Sequence, residues 1–397
     1  MIAFEEAYQL VLEQKMDLGN EETPLESSMG RILAEDILAD RDFPAFNRAT
    51  KDGIAINFEA IDKGLNNFKI EGIVSAGTAQ QELSNHKNCL EIMTGAVLPE
   101  NTDTVIMYED LQIEKKQAQL SKIPMKNQNI HFQGSDTRAG AVILKRNTKI
   151  SAAEIGILAS VGKANVLVKK LPSVSVFSTG NELIPVSEKP LPHQIRRSNS
   201  WSLQAALQEE NINVNQDHLP DDKSAMKKAL KIAISKNDAL ILSGGVSKGK
   251  YDYVAEVMEE LGVKKIFHRV YQRPGKPFWF GFHPAEKTLV FSFPGNPVST
   301  FANYNVYFKD WLTKSLGSKI ENHQAVLQTE LKIEPPFTRF INVSVSLKKG
   351  VLKALPLNAN GSGDLVSLAH TDGFIKLVPG YYQKESPVPF IPTRKIL

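Results

Sequence analysis

Three times in this chain an apolar run ends in a loop of small, hydroxylated and acidic residues, and a helix-like segment follows. The stretches are SVSVFSTGNEL (173–183), DALILSGGVSKGKYD (238–252) and TLVFSFPGNPVS (288–299). Short runs without polar alternation, separated by amphipathic segments, suit parallel strands buried on both faces. SWSLQAALQEEN and SAMKKALKIAISK lie between them and carry apolar residues at helical spacing. The pattern predicts an α/β sheet, in which ligands sit just beyond the carboxyl ends of the strands. Here those ends carry Thr179, Glu182, Ser243, Gly244, Gly245, Ser247, Asp252, Asn296 and Ser299. Such a set suits a small phosphorylated molecule.

The rest of the 397 residues follows other rules. Phe4, Ala7, Tyr8 and Val11 predict an N-terminal helix over 3–16, and Thr23-Pro24 offers the cap and first turn of another running to Ile37. From about 40 to 140 short β-like runs are broken by Gly, Pro and Asn. SAAEIGILASVG (151–162) predicts a short helix capped by Ser151 and stopped at Gly162. Strict alternation in LKIEPPFTRFINVSVSLKKG predicts a separate C-terminal β domain. The expected organisation is multidomain, α/β plus β. A helical linker domain spans 1–42 with 138–171, a β-rich inserted domain 43–137, a three-layer α/β domain 172–316, and a β-barrel-like domain 317–397.

A single cysteine, Cys89, excludes an intrachain disulfide and any CxxC metal site, and it is expected to be a buried bystander. A formal charge of +3 gives no argument for nucleic acid. The acidic, amphipathic N-terminus is no signal peptide, and no run approaches the roughly 18 apolar residues of a membrane span. A cytoplasmic protein is expected.

Several residues carry candidate chemistry. Asp52 precedes Gly53 in a turn feeding an apolar strand, and it reads either as a turn residue or as a functional acid; Asp136 in FQGSDTRAG has the same two readings. Glu182 and Asp252 lie past strand ends among small residues, where a carboxylate can hold a divalent cation, accept a proton or bind a hydroxyl. Asp221 and Asp222 read as helix caps or as ligands. Gly244 and Gly245 let backbone N–H groups approach a phosphate, although SGG lacks the Lys-Ser/Thr ending of a P-loop. Pro294 and Pro297 stiffen the turn around Gly295 and Asn296, with Ser299 near the next helix start. Arg269, Arg273 and Lys276 surround a Pro-Gly turn and suit an oxyanion, or a solvated basic loop.

Taken together and in order, DFPAFNRATKDGIAI, IMTGAVLPENTDTVIMYED, FQGSDTRAGAVIL, VFSTGNEL, SGGVSKGKYD, RPGKP, FPGNPVS and GSGDLVSLAHTDGF resemble the molybdopterin molybdenumtransferase family, which includes bacterial MoeA and the E domain of gephyrin. The resemblance covers almost the whole chain. It implies a four-part architecture and a homodimer whose sites lie between the α/β domain of one subunit and the β-rich domain of the other. It also implies insertion of molybdate into adenylylated molybdopterin, with release of AMP and a requirement for Mg²⁺. Carried over by position, the functional acids are Asp52, Asp136, Glu182, Asp221 and Asp252, with Thr94 in the TGA turn. Glu182, Asp221 and Asp252 go to the metal. Ser198, Asn199, Ser243, Gly244, Gly245, Ser247, Pro294, Gly295 and Asn296 go to substrate, and Arg269, Arg273, Lys276, Ser299, Arg339 and Ser367 to the phosphate and oxyanion side. A molybdopterin adenylyltransferase and molybdoenzyme apoproteins are the implied partners.

The chain departs from the family pattern at Lys51, Ile54, Asn181 and Arg197, and has Arg269 and Arg273 where lysine is more usual. Three competing readings follow: a tungstate-loading paralogue, a silent molybdopterin-binding scaffold, and a molybdopterin adenylyltransferase. The flanking domains and the PGNP loop favour insertion over adenylylation.

Overall fold

The computed structural model describes residues 1–246 and 253–395. At its centre is a six-stranded sheet in the spatial order Val214–Leu219, Val174–Thr179, Ala239–Ser243, Thr288–Phe293, Trp279–His283, Lys264–His268. The first four strands are parallel and the last two antiparallel. The apolar runs are continuous because both faces are covered. Ile241, Leu289, Phe291, Phe278 and Phe280 enter one core, while Leu240, Leu242, Val290 and Trp279 enter the other. The helices Ser198–Glu209 and Lys223–Ile234 connect the first three strands in chain order. The chain steps outward from Val174–Thr179 to Val214–Leu219, then crosses back to Ala239–Ser243. Between Val174–Thr179 and Ala239–Ser243 the direction of winding therefore reverses, and a crevice opens beyond their carboxyl ends.

A second six-stranded sheet holds Gly53–Ile56 between Thr104–Met107 and Asn88–Ile92, with Asn67–Val74, Gln117–Leu120 and Leu111–Glu114 continuing it. Cys89 is buried here, and burial pushes its thiol up to about 12, so it is inert as a nucleophile. The C-terminal strands Thr338–Lys348, Val351–Pro356, His323–Leu327, Pro387–Pro392 and Gly373–Leu377 pair in that order, and the last returns to the first. The result is a closed barrel without free edges.

The first expected helix is present as Phe4–Glu13, and Ser151 caps Ala152–Ser160 in a capping box with Glu154. The expected helix from Thr23 to Ile37 is absent. Asn20–Pro24 is a strand paired antiparallel with Asn165–Lys169, a single 3₁₀ turn follows at Leu25–Ser27, and Gly30 turns the chain with φ +78. Pro24 ends a strand instead of opening a helix. A distant partner strand satisfied backbone groups that the local pattern assigned to helical turns. No helix among the described residues is long and apolar enough to cross a membrane.

Candidate functional site

The crevice holds a cavity of about 460 Å³, within the range of small-molecule sites. Ser178, Thr179, Glu182, Ser198, Asn199, Asp221, Ser243, Gly244, Gly245, Gly295 and Asn296 line it, together with Arg196 and Arg197. The three loops recognised in the sequence thus meet at one place. Close approach requires glycine there: with φ +105, Gly244 sits against Thr179, whose carbonyl oxygen would lie 3.0 Å from an added methyl. Asn199 ties the loops together, donating from Nδ2 to Ser243 Oγ (2.9 Å) and to the Gly295 carbonyl (2.7 Å). Thr300, which the sequence reading missed, completes the tie by donating from its hydroxyl to the Pro294 carbonyl at 2.5 Å. Ser299 is buried one position earlier in the helix Pro297–Asn303.

Asn181 and Asp221 clasp across the mouth. The Asn181 N–H donates to Asp221 Oδ2 (3.2 Å), and the Asp221 N–H donates to Asn181 Oδ1 (3.1 Å). Asp222 accepts from the Ala225 N–H and caps Lys223–Ile234, which leaves Asp221 to face the cavity. Arg196 donates to the Glu188 carbonyl, whereas Arg197 has no acidic partner among the described residues. Burial, with Arg197 nearby, lowers the pKa of His218. Ser247 and Asp252 lie outside the described residues.

The basic residues gather elsewhere, at the seam between the sheet and the barrel. Gln272–Arg273 forms a two-residue strand parallel to the first barrel strand, placing Arg273 opposite Arg339. The Arg273 guanidinium lies 4.4 Å from the centre of the Phe337 ring and the Lys276 ammonium 5.3 Å from it, so one aromatic ring carries two cations. None of Arg273, Lys276 and Arg339 has an acidic partner among the described residues. Unneutralised cations gathered this way favour an incoming anion. Arg269 bends the chain at φ +70 just before them.

The turn is braced from below. Gln272 Nε2 donates to Asn303 Oδ1 (2.8 Å), and Asn303 Nδ2 donates to the Gly275 carbonyl (3.3 Å). Gly275 has φ +89, and an added methyl would meet Gln272 Nε2 at 2.6 Å. Gly275→Ala is therefore expected to cost about 2 kcal/mol or more, seen as a lower urea midpoint; an unchanged midpoint would contradict the bracing. Ser367 is buried, and its Oγ donates to the Asp364 carbonyl at 2.7 Å.

Asp52, Thr94 and Asp136 form a third group on the β-rich lobe and do not line the cavity of their own chain. Asp52 Oδ1 accepts the Thr94 N–H at 2.6 Å, and this bond holds its carboxyl below the usual carboxylate range. Asp136 bonds to His131 at 2.8 Å. A groove of about 1260 Å³ runs past Tyr8, Lys309, Asp310 and Lys376, but it contains none of the sequence-predicted site residues.

The Gly244 N–H is taken by the Phe293 carbonyl (3.0 Å), so it is the side chains and the open glycine turn that face the cavity. Carboxylates and hydroxyls thus share one cavity, cations with no acidic partner among the described residues occupy a seam, and further acids sit on another lobe. Family models described as "MoeA N-terminal region (domain I and II)", "Probable molybdopterin binding domain" and "MoeA C-terminal region (domain IV)" match residues 2–162, 175–314 and 324–390. A molybdopterin molybdenumtransferase of Synechocystis is 39% identical over 381 residues, covering 95% of each chain. One from Staphylococcus epidermidis is 32% identical over 391 residues, 96% of this chain and 92% of its own. The crystal structure of a molybdopterin biosynthesis MoeA protein from Pyrococcus horikoshii superposes with TM-score 0.82 at 29% identity, over 100% of both chains.

Proposed function

The chain belongs to the MoeA family of molybdopterin molybdenumtransferases, and from that premise we propose that it inserts molybdate into adenylylated molybdopterin and releases AMP. The observation that carries this reading is the pairing of a glycine- and hydroxyl-lined cavity beyond the strand ends with a seam of cations that have no acidic partner among the described residues. The substrate is a phosphate-linked dinucleotide-like anion and molybdate is a dianion, so each needs positive partners held in advance.

In this reading the nucleotide-linked substrate lies along Gly244 and Gly245, where no side chain blocks the backbone, with Arg197 directed to its phosphates. Arg273, Lys276 and Arg339 hold the oxyanion. Because both groups are fixed before the substrates arrive, orientation supplies much of the acceleration. Glu182 and Asp221 line the same cavity and fit Mg²⁺, which is held by one or two carboxylates together with substrate phosphates; Asp252 joins them by resemblance. Mg²⁺, when bound, neutralises phosphate charge. Asp52, ionised by its bond to Thr94, and Asp136 reach the cavity from a second copy of the chain. That assigns a homodimer, and we place its reaction in the cytoplasm.

The test is AMP release from adenylylated molybdopterin with Mg²⁺ and either molybdate or tungstate. Release that depends on an oxyanion is the expected result, and competition between the two identifies the metal loaded. Tight binding without release would replace the enzyme reading with that of a molybdopterin-binding scaffold. Arg339→Ala is expected to raise the molybdate concentration for half-maximal release about tenfold, the loss of one charged contact, with substrate affinity in the absence of molybdate unchanged. Equal molybdate dependence in variant and parent would remove the seam from the site.

A further inference from the structure

We infer that His131, fixed as its neutral Nε2–H tautomer by Arg48, is a positioning residue that aims the Asp136 carboxylate. Arg48–Ala49 and Ile130–His131 pair antiparallel with His131 directly opposite Arg48, so the two side chains share a face. Arg48 Nη2 lies 3.2 Å from His131 Nδ1, and His131 Nε2 lies 2.8 Å from Asp136 Oδ1. A guanidinium has only donors. Nδ1 must therefore be the unprotonated acceptor, and the single ring proton sits on Nε2 and is donated to Asp136. A doubly protonated ring would set two donors against each other at the Arg48 contact. The order of donation is thus determined: Arg48 to His131, then His131 to Asp136.

The relay adds nothing essential to the loop's backbone, which is pinned separately. The Gly134 N–H donates to the Pro44 carbonyl (3.0 Å), the Asp136 N–H to the Phe43 carbonyl (2.9 Å), and the Gln133 N–H to Asn47 Oδ1 (2.8 Å). What His131 controls is the side-chain torsion of a carboxylate that is 57% exposed and whose same oxygen has only a long further contact, from Ser135 Oγ at 3.4 Å, among the described residues. One carboxylate oxygen is held by His131, and the other is left to meet a ligand. Alignment of this kind is what a group entering from another subunit requires. The inference rests on the reading of Asp136 as an acid that faces substrate.

The experiment compares His131→Phe, His131→Gln, Asp136→Ala and the His131→Phe/Asp136→Ala double variant in molybdate-dependent AMP release, with ¹⁵N-histidine spectra of the parent protein and of His131→Gln. His131→Phe is expected to lower kcat about tenfold, the size of effect seen when a partner orienting a site group is removed, with KM within about twofold. His131→Gln keeps an amide able to accept from Arg48 and donate to Asp136, and it should recover most of the rate. In the Asp136→Ala background His131→Phe should have no further effect. The signal lost in His131→Gln should be that of a neutral Nε2–H ring.

Full activity of His131→Phe beside an impaired Asp136→Ala overturns the relay and leaves the reading of Asp136 standing. Full activity of Asp136→Ala overturns that reading and the relay's purpose with it. An additive loss in the double variant, or a neutral Nδ1–H signal, overturns the relay as drawn.

Discussion

Gly53→Ala is expected to destabilise the β-rich lobe severely. The residue opens the strand Gly53–Ile56, which lies between two neighbours and cannot move aside. An added methyl would overlap the Ile106 carbonyl, with its carbon at 2.7 Å and the Met107 Cα at 2.8 Å. Every one of these contacts is backbone, so no rotamer change relieves them. We expect a loss of about 3 kcal/mol or more, among the largest single-residue effects. In a lobe of this size it lowers the melting temperature by roughly 10 °C or more. Calorimetry and limited proteolysis of the full chain would show it, as early cleavage within the lobe. A variant melting within about 2 °C of the parent would mean that the adjacent strand can yield, contrary to the packing described.

The second large effect concerns Asp52 and separates chemistry from folding. Asp52 is exposed, and the Thr94 N–H that donates to its carboxylate can turn to water in its place. Asp52→Ala should therefore melt normally while losing about 100-fold or more in AMP release. Glu182→Ala, on the other lobe, should do the same. If each site takes its lobes from two copies of the chain, a reassorted mixture of these inactive variants contains dimers with one intact site. Activity should then return to about a quarter of the parent value, since half the dimers are mixed and each has one working site. A mixture as inactive as its parts would show that each site is built within a single chain.

Much of this architecture was legible in the sequence because it depends on local chemistry. Runs such as ALILS and TLVFSF have no polar alternation, and their strands are covered on both faces. Ser151 and Asp222 cap the helices they precede, and the three glycine-bearing loops meet in one cavity. The misreading at Thr23–Ile37 has the opposite cause. Asn20–Pro24 is a strand because of Asn165–Lys169, far away in sequence, and nothing between Thr23 and Ile37 announces that partner. The same limit hid Arg48 beside His131, Phe337 beneath Arg273 and Lys276, and Thr300 behind Asn199. Each is a pairing created by tertiary structure between segments whose own patterns are silent about it. The family resemblance implied roles for Asp52, Asp136 and Arg339, which spacing alone left open.

The short strand Gln272–Arg273 joins a loop of the sheet to the barrel, and the Thr338 N–H donates to the Tyr271 carbonyl at 3.0 Å beside it. Because strand side chains alternate, this seam works as a vernier. Sliding the barrel strand by one residue would turn Arg339 to the opposite face while leaving every cation in the chain. If the seam binds the oxyanion as proposed, affinity depends on alignment as well as on residue type.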